Sequence, residues 1–234
     1  MFPPTAWSMV RLAVAEGRPG ADQALDQLCR LYERPILAYI QRTVCSSEAA
    51  ADLKQSFFAQ LLAKNIFADA EGTRVRLRAF LITKLQGFLI DHHRHDMALK
   101  RGGGKVLRLG DMDEAQQVLA EPVDPVTPLI AFQRQWMETL AGHAMAQLRA
   151  DFADRGQTTL YDAIAPFITH SSDESIAALS ARLGRPEGTL KSDISRLRAR
   201  CQELIRSQIA ATLDDPTPAN IDAELKELMG CRGN

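Results

Sequence analysis

Leu179-Ser-Ala-Arg-Leu-Gly-Arg-Pro-Glu-Gly-Thr-Leu-Lys-Ser-Asp-Ile-Ser-Arg-Leu-Arg-Ala-Arg200 holds most of what this chain says about its fold. Leu179 and Leu183 lie four apart, on one face of a helix. Gly184 follows, where the backbone must reverse and a residue without Cβ can take positive φ. A second apolar stripe then runs through Leu190, Ile194, Leu197, Cys201 and Leu204, in helical steps of three and four. Pro186 suits a first helical turn, because its missing N–H would find no partner there. Glu187 meets the positive end of the same helix dipole. The other face of the second helix carries Thr189, Lys191, Ser192, Ser195, Arg196 and Arg200. Helix, tight turn and a half-basic second helix are the parts of a helix-turn-helix, which lays its second helix in the DNA major groove. An ordinary αα-hairpin with solvated Arg and Lys fits the same spacing. Two residues sit awkwardly with DNA: Arg185, where such turns usually hold an apolar residue, and Asp193, a negative charge beside the basic face.

The rest of the chain is also patterned for helices, with no sustained period-two run, so an all-α fold is expected. Helical stripes cover residues 5–16 and 21–44, the latter through Leu25, Leu28, Tyr32, Ile36, Tyr39 and Ile40, with Pro35 expected to break or bend it. Ser46 or Ser47 can cap a helix reaching about Lys64. Leu53, Phe57, Phe58 and Leu61 form its apolar side; Glu48, Asp52, Gln55 and Ser56 form its polar side. A further helix, from about Val75 to His95, would bury Leu77, Phe80, Leu81, Leu85, Phe88 and Leu89. Next, Lys100-Arg-Gly-Gly-Gly-Lys105 cannot hold a stable helix, and Pro122, Pro125 and Pro128 follow among acidic residues. The expected domains are therefore 1–96, a linker at 97–127, a second helical domain at 128–213 and an acidic tail at 214–234 with a short helix near Ile221–Met229.

Composition narrows the function. The chain has 234 residues, 46% of them hydrophobic, and a net charge of −1. It has no apolar run long enough to suggest a membrane span. Cys29, Cys45, Cys201 and Cys231 show no metal-ligand pairing, and Cys29 and Cys201 fall on apolar stripes, which fits a reducing cytoplasm. Charge is unevenly spread: nine basic residues between Arg74 and Arg108 face only Asp91 and Asp96. Such a zone is the electrostatic footprint of a polyanion partner. Asp91-His-His-Arg-His-Asp96 offers two-point chelation but no further ligands, so no metal is expected. Gly102-Gly-Gly-Lys105 lacks the spacing of a phosphate loop, and no serine lies in a nucleophile elbow. Neither an enzyme activity nor a cofactor is expected.

The order of these parts resembles a sigma factor of bacterial RNA polymerase, of the extracytoplasmic-function type. The likeness rests on Asp52-Leu-Lys-Gln-Ser-Phe-Phe58, the basic helix, the linker, and Gly188-Thr-Leu-Lys-Ser-Asp-Ile-Ser-Arg-Leu-Arg198. Phe2-Pro-Pro-Thr-Ala-Trp-Ser8 and Lys100–Gly104 extend it to one subgroup. The resemblance implies a region 2-like domain followed by a region 4-like domain, with core RNA polymerase and promoter DNA as partners and an anti-sigma protein as a further candidate. It assigns Glu48, Asp52, Gln55 and Ser56 to the polymerase clamp. It assigns Arg74, Arg76, Arg78, Lys84, His92, His93 and Arg94 to the downstream promoter element, where strand opening needs cationic groups. Glu187, Thr189, Lys191, Ser192, Ser195, Arg196 and Arg200 would read the upstream element, and the acidic linker would thread the polymerase channel. Ser56 stands where the clamp motif is usually acidic, Lys54 adds a positive charge beside it, and Asp193 replaces a residue often basic. Two rivals remain: a helix-turn-helix regulator that never enters the polymerase, and an adaptor that kept the fold but lost DNA binding.

Overall fold

The computed structural model describes residues 19–44, 46–63, 76–100, 126–169 and 171–230. Arg74, Cys45, Cys231, residues 5–16, the Phe2–Ser8 motif and nearly all of the expected linker lie outside them. The described residues are helical and contain no strand. In chain order the helices are α1 (Ala21–Gln41), α2 (Ser47–Ala63), α3 (Leu77–Lys100), α4 (Pro128–Ala153), α5 (Thr158–Ile164), α6 (Pro166–Thr169), α7 (Ile176–Leu183), α8 (Glu187–Thr212) and α9 (Pro218–Gly230).

Helix starts follow from local chemistry. Ser46, Thr127, Ser175 and Thr217 each accept a backbone N–H from three residues ahead, which satisfies a donor that the first turn would otherwise leave open. In α4 and α9 a proline follows the threonine cap at the first helical position. Pro166 opens a new helix, α6, directly after α5. Pro35, in contrast, does not end its helix: α1 runs through it to Gln41, with Pro35 buried. Burial of the ring offsets the lost backbone hydrogen bond. Helix α3 is described as far as Lys100, past the expected end at His95.

Packing separates the chain into two units. One holds the residues through Met137 together with those from Ala210 onward; the other is Glu138–Ile209. The expected boundary at 127/128 is thus displaced. Phe132 and Trp136, on the first turns of α4, belong with the first unit, as does the tail. Within that unit Leu28, Tyr32, Ile36, Ile40, Phe57, Leu61, Leu77, Leu81, Leu85, Phe132 and Trp136 are all buried. Tyr32 stacks on Trp136 with ring centroids 4.7 Å apart and planes 7° from parallel. Burial pushes the Tyr32 phenol up, with Arg78 lowering it and Glu224 raising it, and its hydroxyl has no hydrogen-bond partner among the described residues. Phe57 meets Phe88 across α2 and α3 at 5.5 Å, and the Gln86 amide donates to the Tyr39 hydroxyl at 3.2 Å. Phe58, expected in the core, is only half-buried.

The second unit buries Ala144, Leu148, Tyr161, Ile164, Leu179, Leu190, Ile194, Leu197 and Leu204 in one cluster. The stripe read from α8 is its inner face. The Tyr161 hydroxyl donates to the Met145 carbonyl at 2.8 Å, so the one polar tip in this core is satisfied. Cys29 and Cys201 are free and half-buried, and burial pushes both thiols up, which makes them poor nucleophiles. Among the described residues, no helix is long and apolar enough to cross a membrane, and no cluster of three or more His, Cys, Asp or Glu could hold a metal ion.

Replacing Trp136 by Ala removes a ring that is 1% exposed and stacked on Tyr32. The expected loss is about 3–5 kcal/mol, read as a lower midpoint in urea unfolding.

Candidate nucleic-acid interface

Helices α7 and α8 are joined by a turn that the sequence closes by itself. Gly184 sits at φ 62° and ψ 28°. Its N–H and that of Arg185 both point to the Ser180 carbonyl, and the Ser180 hydroxyl donates back to the Arg185 carbonyl at 2.6 Å. This locked turn sets the direction in which α8 leaves α7. Leu190, Ile194 and Leu197 face inward, so Thr189, Lys191, Ser192, Ser195, Arg196 and Arg200 face solvent. The side chains of Lys191 and Arg196 are 60% and 79% exposed.

The two awkward residues of this segment explain each other. Arg185 donates to Asp193 at 3.3 Å, and Arg196 approaches the other oxygen of the same carboxylate at 3.4 Å. Asp193 therefore lies between two guanidinium groups rather than presenting a free negative charge. Lys191 pairs with Glu187 at 3.2 Å, and Arg200 with Glu203 at 2.9 Å. The Ser192 hydroxyl donates to the Gly188 carbonyl. Exposed pairs of this kind contribute only about 0–1 kcal/mol each, so a phosphate can replace the carboxylate at small cost. The face is basic, pre-formed and lightly self-neutralised.

In the first unit, Glu48, Asp52, Gln55 and Ser56 are all exposed on α2, as one polar stripe. Lys54 does not dilute it. Its ammonium turns to Glu33 on α1, and its side chain is only 16% exposed. A cleft of about 410 Å³ opens between this stripe and the later turns of α3. Asp52 and Ser56 line one side, His92, His93 and Asp96 another, with Leu53 and Leu89 below. Residues that the sequence placed against two different partners thus share a single cleft. His92 Nδ1 lies 3.3 Å from the Asp96 carboxylate.

The basic face expected on α3 is only partly present. Lys84 is half-buried, with its ammonium 5.3 Å from the centre of the Phe80 ring, and His93 and Arg94 are exposed. Arg78 differs. It is 4% exposed, with Nε 2.9 Å from Glu224 and Nη2 2.8 Å from Glu227. Arg76 reaches the same two carboxylates, at 2.6 Å for Glu224. As folded, Arg78 is buried and Arg76 half-exposed against these carboxylates, so neither stands on an open basic face of α3. The cause is tertiary: α9 returns to the first unit and places two carboxylates on them. Breaking a buried pair by removing one partner costs about 3–5 kcal/mol, several times the cost on α8. Glu224 and Glu227 were missed as functional candidates. The signal available was one of charge, an acidic tail helix in a chain whose strongest basic zone is otherwise unbalanced.

No protein-family model matches the chain, and no curated protein and no solved structure matches it.

Two predictions follow from these pairings. Lys191→Ala and Arg196→Ala each reduce the slope of log K against log salt for duplex DNA by about 1, whereas Asp193→Ala raises affinity by freeing two guanidinium groups; fluorescence anisotropy over a salt series reads all three. Burial works to raise the Glu227 carboxyl, but hydrogen bonds and charge from Arg78 and Arg76 outweigh it and hold it below its ordinary 4.5. The stability it contributes is therefore complete above that value and lost as pH falls through the depressed one. Acid titration followed by circular dichroism should show this loss in the native chain and not in Glu227→Gln.

Proposed function

We propose that this chain is a sigma factor, binding core RNA polymerase through the exposed stripe of α2 and duplex promoter DNA through the solvent face of α8. The observation that carries the proposal is the α7–α8 element, whose locked turn and apolar inner face leave Lys191, Ser195, Arg196 and Arg200 exposed. Arg and Lys there can neutralise phosphates, and short polar side chains can reach base edges, at about 1–3 kcal/mol per good bidentate contact. Support for a polymerase contact is separate: an acidic and amide stripe on α2, with its neighbouring lysine drawn aside, suits a basic partner surface. In this reading the chemistry belongs to the polymerase, and the chain supplies sequence choice and binding energy from the cytoplasm.

The burial of Arg78 favours a second reading, a regulator that binds duplex DNA with α8 alone and does not open strands. Retention on core polymerase separates the two. A sigma factor co-elutes with the core enzyme at low salt and supports run-off transcription from selected fragments of genomic DNA. Asp52→Arg should weaken that retention at least about tenfold while leaving duplex binding unchanged. Duplex binding without retention favours the regulator.

A further inference from the structure

We infer that α9 is an intramolecular cover for an anion site on α3: Glu224 and Glu227 occupy the positions on Arg76 and Arg78 that phosphates of a single-stranded nucleic acid would take, and such a strand displaces them. The inference rests on the nucleic-acid-binding part of the function proposed above.

The geometry is that of an occupied site. Two guanidinium groups, two residues apart at the start of α3, meet two carboxylates three residues apart on α9. Glu224 bridges both arginines, and so does Glu227. The charges cancel within the contact, so a surface otherwise positive is masked.

The composition of the contact suits a detachable element better than a permanent one. The buried side chains of α9 are Glu224 and Leu228 only. A purely structural helix gains more by filling that face with apolar groups, because a buried ion pair returns little net stability against its desolvation. Leu228 is the one fully buried apolar side chain there, Ile221 and Leu225 are half-buried, and Met229 is 59% exposed. Residues 214–217, which tie the helix to α8, and the first turn of α9 are exposed. The contact also has a soft edge: the side chains of Arg76 and Glu227 are 38% and 46% exposed, whereas those of Arg78 and Glu224 are 5% and 2% exposed. A strand can therefore engage Arg76 first, loosen Glu227, and reach Arg78 only once α9 has moved. Binding to the two sites is linked: whatever weakens α9 strengthens the strand by the same factor.

The test uses the full-length chain and a fluorescent single-stranded oligonucleotide. Glu227→Gln leaves Glu224 on the buried Arg78 and keeps an amide oxygen that can still accept from its Nη2, and circular dichroism checks that the fold is retained. It should raise affinity about fivefold or more and steepen the salt dependence. Adding Arg76→Ala to that variant should abolish the gain. In the native chain, backbone hydrogen exchange over 218–230 should speed up when the oligonucleotide binds. Equal affinity for native and Glu227→Gln chains, with exchange in 218–230 unaffected by the strand, overturns the cover while leaving duplex recognition by α8 intact. Absence of binding to both single-stranded and duplex DNA by every variant overturns the cover and the DNA-binding reading together.

Discussion

Arg78 cannot lie in the core of the first unit without a countercharge, and the chain supplies one from 146 residues downstream. An isolated guanidinium at 4% exposure would lose its hydration with nothing in return. Glu224 meets its Nε and Glu227 its Nη2, so the end of the chain is required to complete the environment of α3. This constraint explains why α9 belongs to the first unit although it follows the second in sequence. It also explains the acidic composition of a segment that would otherwise look like a solvated tail.

The same ion chemistry runs on two scales in this molecule. On α8 the pairs are exposed, and each holds a basic side chain loosely beside its own helix. They orient the face at little cost and yield readily to a stronger anion. On α3 the pairs are buried at one end and exposed at the other, and yield only if a whole helix leaves. One basic surface is exposed as folded, and the other is covered by α9. That difference follows from burial alone, because the residue types are the same.

Much was legible in the residues themselves. Leu190, Ile194, Leu197 and Leu204 are buried as their spacing requires, and Gly184 takes the left-handed conformation that its place in the turn demands. Ser46 caps α2 as its place before the helix suggests, whereas α1 and α5 start without a side-chain cap. Local patterns fail where a distant segment intervenes. Pro35 reads as a helix breaker, yet surrounding core packing carries α1 through it. Arg185 and Asp193 each look misplaced, because a contact across eight residues and a turn is invisible to helical periodicity. Phe132 and Trp136 read as the start of a second domain, but both belong with the first unit, where Trp136 stacks on Tyr32.

From its sequence alone, then, the chain declares helices, their caps, their inner faces and the solvent face of α8, because each depends on residues within a turn or two. Only the tertiary structure decides which basic side chains are available. Arg78 and Arg94 are alike on the page, one arginine each on the same helix. One is sealed beneath carboxylates and the other is exposed, because the partner of the first lies at the far end of the chain and long-range pairing leaves no local period to read.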